Sequence, residues 1–213
     1  LIEQIAFEAR ESEYVDSKSG VSARMTISAY ENLLSAAERR ALLNSEKSTY
    51  VRIADLYGVV PAICGKVELV YEGEVEGPVI VAQNLIGKAI RTQFLHYFPN
   101  PEKAKKSKNN PYESVIKWFA DGNTIELLRD MSGREYQARL RTIEGLDDLV
   151  QQLHPRLERD EKLFMMEFAL HGMAEFSLIG KQALDEGMHF NDLVSSMFSG
   201  PDDEDDFDER DFR

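Results

Sequence analysis

The sequence predicts a mainly all-α protein: a small helical bundle, then a second helical unit with at most a short β element, then a disordered acidic tail. Three observations carry this. Apolar residues recur at helical spacing through residues 1–98 and again through 113–198. A stretch at 99–112 holds Pro99, Pro101 and Pro111, the pair Asn109-Asn110 and a lysine cluster, which reads as a linker. Pro201 to Arg213 holds eight acids and two arginines, too charged and too poor in apolar groups to fold alone, so 199–213 is expected to be disordered.

Taken in order, Ile2, Ile5, Ala6 and Ala9 predict a helix from Leu1 to about Glu13, followed by a polar loop from Tyr14 to Ser22. A pattern already running at the first residue, which is Leu1 and not methionine, suggests the C-terminal piece of something longer. Ser28 and Glu31 have the S-x-x-E spacing of a capping box, predicting a helix from about Ala29 to Asn44. Its apolar face is Leu33, Leu34, Ala37 and Ala41, and Arg39 and Arg40 sit towards its negative C-terminal end. Ile53, Leu56, Val60, Ile63, Val67 and Val70 form a sustained helical stripe interrupted by Pro61 and Gly65. The alternation Val67, Leu69, Tyr71 also fits a short strand, but the stripe covers more residues and helix is preferred. Pro78 suits the first turn of a further helix with Val79, Ala82, Ile86, Ala89, Ile90, Phe94 and Tyr97 facing inward.

The second region opens with Val115, Ile116 and Phe119 on one helical face. A short extended run, Thr124 to Leu128, lies between Gly122 and Gly133. Ser132 and Glu135 repeat the capping-box spacing ahead of Tyr136, Leu140 and Ile143, and Gly145 separates these from Leu146, Leu149, Val150 and Leu153. His154-Pro155 stops that helix. The run within Glu158 to Leu170 is apolar nearly all round, as a buried central helix is. Phe176 to Leu184 and Phe190 to Met197 are expected to close the unit as helices.

The net charge of −13 divides into −6 from the tail and −7 from everything before it. Such a balance disfavours non-specific nucleic-acid binding, which needs clustered Lys and Arg. Lys103, Lys105, Lys106 and Lys108 have no interleaved aromatics to stack bases and read as a solvated linker. The single cysteine, Cys64, rules out an internal disulfide and any multi-cysteine metal site, which fits a cytoplasmic setting. No apolar run approaches the roughly 18 residues of a membrane helix, so a membrane partner is not expected. His96, His154, His171 and His189 lack the spacing that places two metal ligands on one helix face, and no metal site is assigned. Met165, Met166, Met173, Met188 and Met197 are first core fillers, and alternatively the lining of an adaptable partner groove.

Arg24 lies in Gly20-Val21-Ser22-Ala23-Arg24-Met25-Thr26-Ile27-Ser28, just ahead of the predicted capped helix, where a guanidinium can face a phosphate. An arginine at a helix start is also commonly solvated or paired with an acid, so placement alone assigns no role. The segment GVSARMTISAYENLLSAAERRAL resembles the sensor-2 region of AAA+ ATPases, and is most similar to proteins related to the ATPase subunit of magnesium chelatase. Gly65 to Pro78, GKVELVYEGEVEGP, is similar to the bacterial relatives of that group. The resemblance implies that residues 1–98 are an AAA+ lid domain, with Arg24 as the sensor-2 arginine that contacts the terminal phosphates of ATP, often in a neighbouring subunit of a ring. It implies ATP and magnesium as cofactors of the complete protein, other subunits of the ring as partners, and a protein client.

This chain by itself is expected to be inactive. No G-x-x-x-x-G-K-[ST] occurs in it; from Gly58 to Lys66 the glycines are seven apart instead of five, and valine follows the lysine. Nor does a hydrophobic strand end in paired acids that would hold Mg²⁺. The alternative is a non-catalytic helical adaptor that binds another protein through a Met-rich surface and the acidic tail.

Overall fold

The computed structural model describes residues 1–105, 109–184 and 186–194. As expected, it is mainly helical. Helix α1 (Ile2–Glu11) buries Ile5, Ala6 and Ala9, and α2 (Ala23–Leu43) is the longest helix among the described residues. A 3-10 helix, Ala54–Val59, runs directly into α3 (Val60–Cys64), with Pro61 in its first turn. These are followed by α4 (Tyr71–Glu76) and α5 (Pro78–Tyr97). Helices α1, α2, α3 and α5 pack on one another and on the 3-10 helix, so the amphipathic stripes read from the sequence converge on one core.

The prolines of 99–112 do not interrupt that core. A short α6 (Pro101–Ala104) starts with Asn100 accepting the Glu102 N–H. Phe98, Ala104 and Tyr112 are buried in the same hydrophobic cluster as residues on either side of them. Helix α7 (Glu113–Ala120) buries Val115 and Phe119. The extended run is β1 (Ile125–Leu128). Helix α8 (Gly133–Arg141) begins where Ser132 Oγ accepts the Glu135 N–H. Gly145, at φ +80°, makes the left-handed turn into α9 (Leu146–Leu153). Helix α10 (Arg159–Glu175) runs through the centre with Leu163, Met166, Phe168, Leu170 and Met173 buried on several sides, as its all-round apolar run requires.

Four expectations are corrected. The helix containing Arg24 begins six residues before Ala29. Ser22 is its cap, and Ser28 and Glu31 lie within the helix. The stripe from Ile53 ends its helical course at Cys64; Val67 to Val70 are extended, and Leu69 pairs with Val15 in an isolated antiparallel bridge. The alternation won there because Val15 offers a bridge partner that periodicity along the chain cannot reveal. Third, Phe176 to Leu184 and Phe190 to Asp192 do not form helices; Leu193 and Val194 are helical, and the rest of the expected helix to Met197 lies outside the described residues. Gly180–Leu184 (β2) and Gly187–Asn191 (β3) are strands, and with β1 they make an antiparallel sheet of order β1-β3-β2. Phe190 lies opposite Ile125 and Lys181 in the central strand. Gly187 is needed because a Cβ would strike the Leu127 carbonyl oxygen. Finally, Val79 and Tyr97 on the predicted inner face of α5 are exposed, while Ala82, Ile86, Ala89, Ile90 and Phe94 are buried as expected.

Candidate functional site

Ser22 fixes the start of α2. Its hydroxyl accepts the Arg24 backbone N–H at 3.2 Å and the Arg24 Nε–H at 3.4 Å. Arg24 is therefore in the first helical turn instead of ahead of it, and its guanidinium is folded back over the cap. The side chain is exposed and has no acidic partner among the described residues. A second guanidinium arrives that the sequence did not point to: Arg10, at the end of α1, donates from Nη2 to the Val21 carbonyl at 3.3 Å. Two arginines thus flank the turn into α2, at the helix end whose free N–H groups carry positive partial charge. The preceding loop is ordered by Asp16, which accepts the Lys18 N–H at 3.0 Å and the Ser19 hydroxyl at 2.7 Å. Those bonds, the hydroxyl first, hold its carboxyl below the usual carboxylate range.

The other end of α2 is tied to the C-terminal half. Arg39 pairs with Asp130 at 2.6 Å. The Asn44 amide donates to the Asp130 carbonyl at 2.9 Å, and Glu46 accepts the Gly133 N–H at 2.6 Å. Beneath these surface ties lies a buried charge network. Arg40 is 1% exposed and grips both Asp55 oxygens, at 3.4 and 2.8 Å, while also donating to Thr49 Oγ1 and the Tyr50 carbonyl. Asp55 also accepts the Arg52 N–H at 2.7 Å. Arg52, equally buried, donates to the Met131 carbonyl at 2.7 Å and stacks over the Tyr136 ring at 4.1 Å. Glu167 of α10 closes the set. It accepts the N–H groups of Ile53 and Ala54 at 2.6 and 3.1 Å and the Tyr136 hydroxyl at 2.8 Å. Burial raises its carboxyl from 4.5 to about 7, against the lowering effect of the Tyr136 and Ile53 bonds.

Between α1, α2, α5 and α10 an apolar groove of about 570 Å³ opens, lined by Ile2, Tyr30, Leu33, Tyr97, Phe164 and Phe168. Beside it α2 exposes Ile27, Tyr30 and Leu34, an i, i+3, i+7 stripe. The methionines, read first as core fillers and alternatively as a partner groove, belong to the core: Met165, Met166, Met173 and Met188 are all buried. Met197 and the acidic tail lie outside the described residues, as do Lys106 and Lys108. Among the described residues no cluster of His, Cys, Asp and Glu is arranged to hold a metal ion. Nor, among them, is any helix long and apolar enough to cross a membrane. Comparison of the chain with family models, with curated proteins and with solved structures returned no match.

Proposed function

We propose that this chain is the lid and C-terminal region of a ring-forming AAA+ ATPase related to the magnesium chelatase ATPase subunit. Arg24 supplies a sensor-2 guanidinium to ATP and magnesium bound elsewhere in the complete protein. The reading rests on the resemblance of the Arg24 segment. One observation carries it further: an exposed guanidinium without an acidic partner among the described residues sits on the first turn of α2. There it stabilises charge developing on the transferred phosphoryl group.

The opposite end of the same helix supplies the coupling. A phosphate pulling on Arg24 moves α2, and α2 with the turn that follows it is fastened through Asp130, Gly133 and Asp55 to the segments that start α8 and dock on α10. Hydrolysis is thereby converted into movement of the C-terminal half and of the client it remodels. The exposed stripe Ile27, Tyr30 and Leu34 is the face available to the neighbouring subunit of the ring.

The test is ATP turnover by the complete, assembled protein carrying Arg24→Ala. Turnover is expected to fall at least about a hundredfold with an unchanged circular dichroism spectrum, since the side chain is exposed. Wild-type turnover in that variant overturns the assignment.

A further inference from the structure

We propose that the corner formed by α4 and the first turn of α5 is a docking surface for a basic amphipathic helix of another protein. The inference does not depend on the ATPase reading. It starts from an oddity of α4: the only residue this six-residue helix buries is Gly73, and it gives no other side chain to the core. A helix this short has no stability of its own, yet the residues that lead into it are tied to the loop after α1. Asp16 N–H donates to the Glu68 carbonyl at 2.9 Å, and Val70 N–H to the Tyr14 carbonyl at 3.0 Å. Gly73 lies so close to that segment that a Cβ would stand 2.5 Å from the Tyr14 carbonyl oxygen. At the far end Gly77, at φ +102°, turns the chain directly into α5.

What this fixed scaffold presents is apolar. Tyr71 is 79% exposed and Val75, one turn on, 69% exposed; Val79 and Ile80 continue the exposed apolar surface onto α5. Large apolar side chains gathered on one rigid element mark an interaction site more than isolated ones do. The charge around them chooses the partner. Glu68, Glu72, Glu74 and Glu76 are all exposed, and Lys66 is the sole base between residues 66 and 80. A second copy of the chain would set this acidic rim against itself within a molecule of net charge −13. Nucleic acid and anionic membrane carry the same disfavoured sign. A helix with apolar residues on one face and Lys or Arg beside them meets both features at once, its ridge packing against the Tyr71–Val75 ridge while its cations answer the four carboxylates.

The probe is a fluorescent Leu/Lys amphipathic peptide of about 18 residues, titrated against the full chain at about 0.15 M salt, beside the same peptide with Glu in place of Lys. The cationic peptide is expected to bind and the anionic one not to. Tyr71→Ser/Val75→Ser is expected to weaken binding at least about tenfold with an unchanged circular dichroism spectrum, and Glu72→Lys/Glu76→Lys to do the same. Undiminished binding to the Tyr71/Val75 variant overturns the proposal by placing the peptide on other acids of the chain. Equal binding of both peptides, or none, also overturns it. Sedimentation showing a dimer that the Tyr71/Val75 variant abolishes assigns the corner to a second copy instead.

Discussion

Glu167 and His171 lie one helical turn apart on α10, both completely buried, and burial moves their proton affinities in opposite directions. Glu167 has three hydrogen-bond donors around it, yet loss of water still raises its carboxyl to about 7. Among the described residues His171 has no hydrogen-bond partner on either ring nitrogen, and it packs edge-on to Phe190 with ring centres 5.1 Å apart. Loss of water, and secondarily the Lys181 charge, holds its imidazole well below 6.5, so it is neutral in the folded protein.

The Glu167 shift fixes the sign of a pH effect. Between pH 4.5 and about 7 the folded protein retains a proton on this group that the unfolded chain has released, so its contribution to stability falls as pH rises. A shift of this size amounts to on the order of 3 kcal/mol in all. Glu167→Gln cannot titrate. Urea unfolding from pH 4.5 to 8 is expected to show the variant gaining on the wild type by roughly that amount across the window. A difference that stays flat contradicts the raised carboxyl.

His171 acts with the opposite slope. Below pH 6.5 the unfolded chain takes up a proton that the folded one refuses, so stability falls as pH falls, by up to about 1.4 kcal/mol per pH unit. Between pH 4.5 and 6.5 the two residues therefore oppose each other, and the wild type is expected to change less than either single variant. His171→Leu is expected to unfold at a lower pH than the wild type in an acid titration followed by tryptophan fluorescence.

Arg39 and Arg40 are neighbours in sequence, and both make ion pairs. Side chains of the first pair are 64% and 49% exposed; those of the second are 1% and 3% exposed. Water and salt screen the first, so Arg39→Ala is expected to cost under about 1 kcal/mol. Arg40→Ala strands Asp55 in the interior and is expected to cost about 3–5 kcal/mol. Arg40→Lys is expected to recover only part of this, because an ammonium cannot reach Thr49, Tyr50 and both Asp55 oxygens together. Guanidinium denaturation of the three variants gives the ranking.

Much of the helical architecture was legible because it rests on local patterns: the stripes of α1, α5 and α9, the Ser132 cap, the Gly145 turn, and the all-round apolar run of α10. Two of the misread segments share one cause, a partner distant along the chain. Leu69 is extended because Val15 pairs with it. Strands β2 and β3 bury Met188 and Phe190 against β1 and α10, but no Asn-Gly or Asp-Gly between Leu184 and Gly187 announces a hairpin. At the candidate site the arginine itself was readable and its surroundings were not. Ser28 and Glu31 imitate a cap that Ser22 provides. Arg10 reaches Val21 across 11 residues, and Arg40 looked like one more cation at a helix end until burial showed its partner.

The contact between α5 and α10 turns on Gly172, where an added Cβ would overlap the Phe94 ring. That ring cannot simply move away. Phe94 is fully buried, stacks on Phe98 at 4.8 Å and touches the rings of Tyr112, Phe168 and Phe176. Gly172 has no positive φ, so the conflict is one of space, and alanine would otherwise favour the helix by about 1 kcal/mol. Overpacking outweighs that gain, and Gly172→Ala is expected to cost about 3 kcal/mol. Phe94→Leu trims the obstructing ring and leaves a cavity of its own, so the two changes are expected to be strongly non-additive. In the Phe94→Leu background, Gly172→Ala should cost at least about 1 kcal/mol less than in the wild type. A double-mutant cycle from thermal unfolding measures this directly, and strict additivity would mean that the ring and the glycine do not meet.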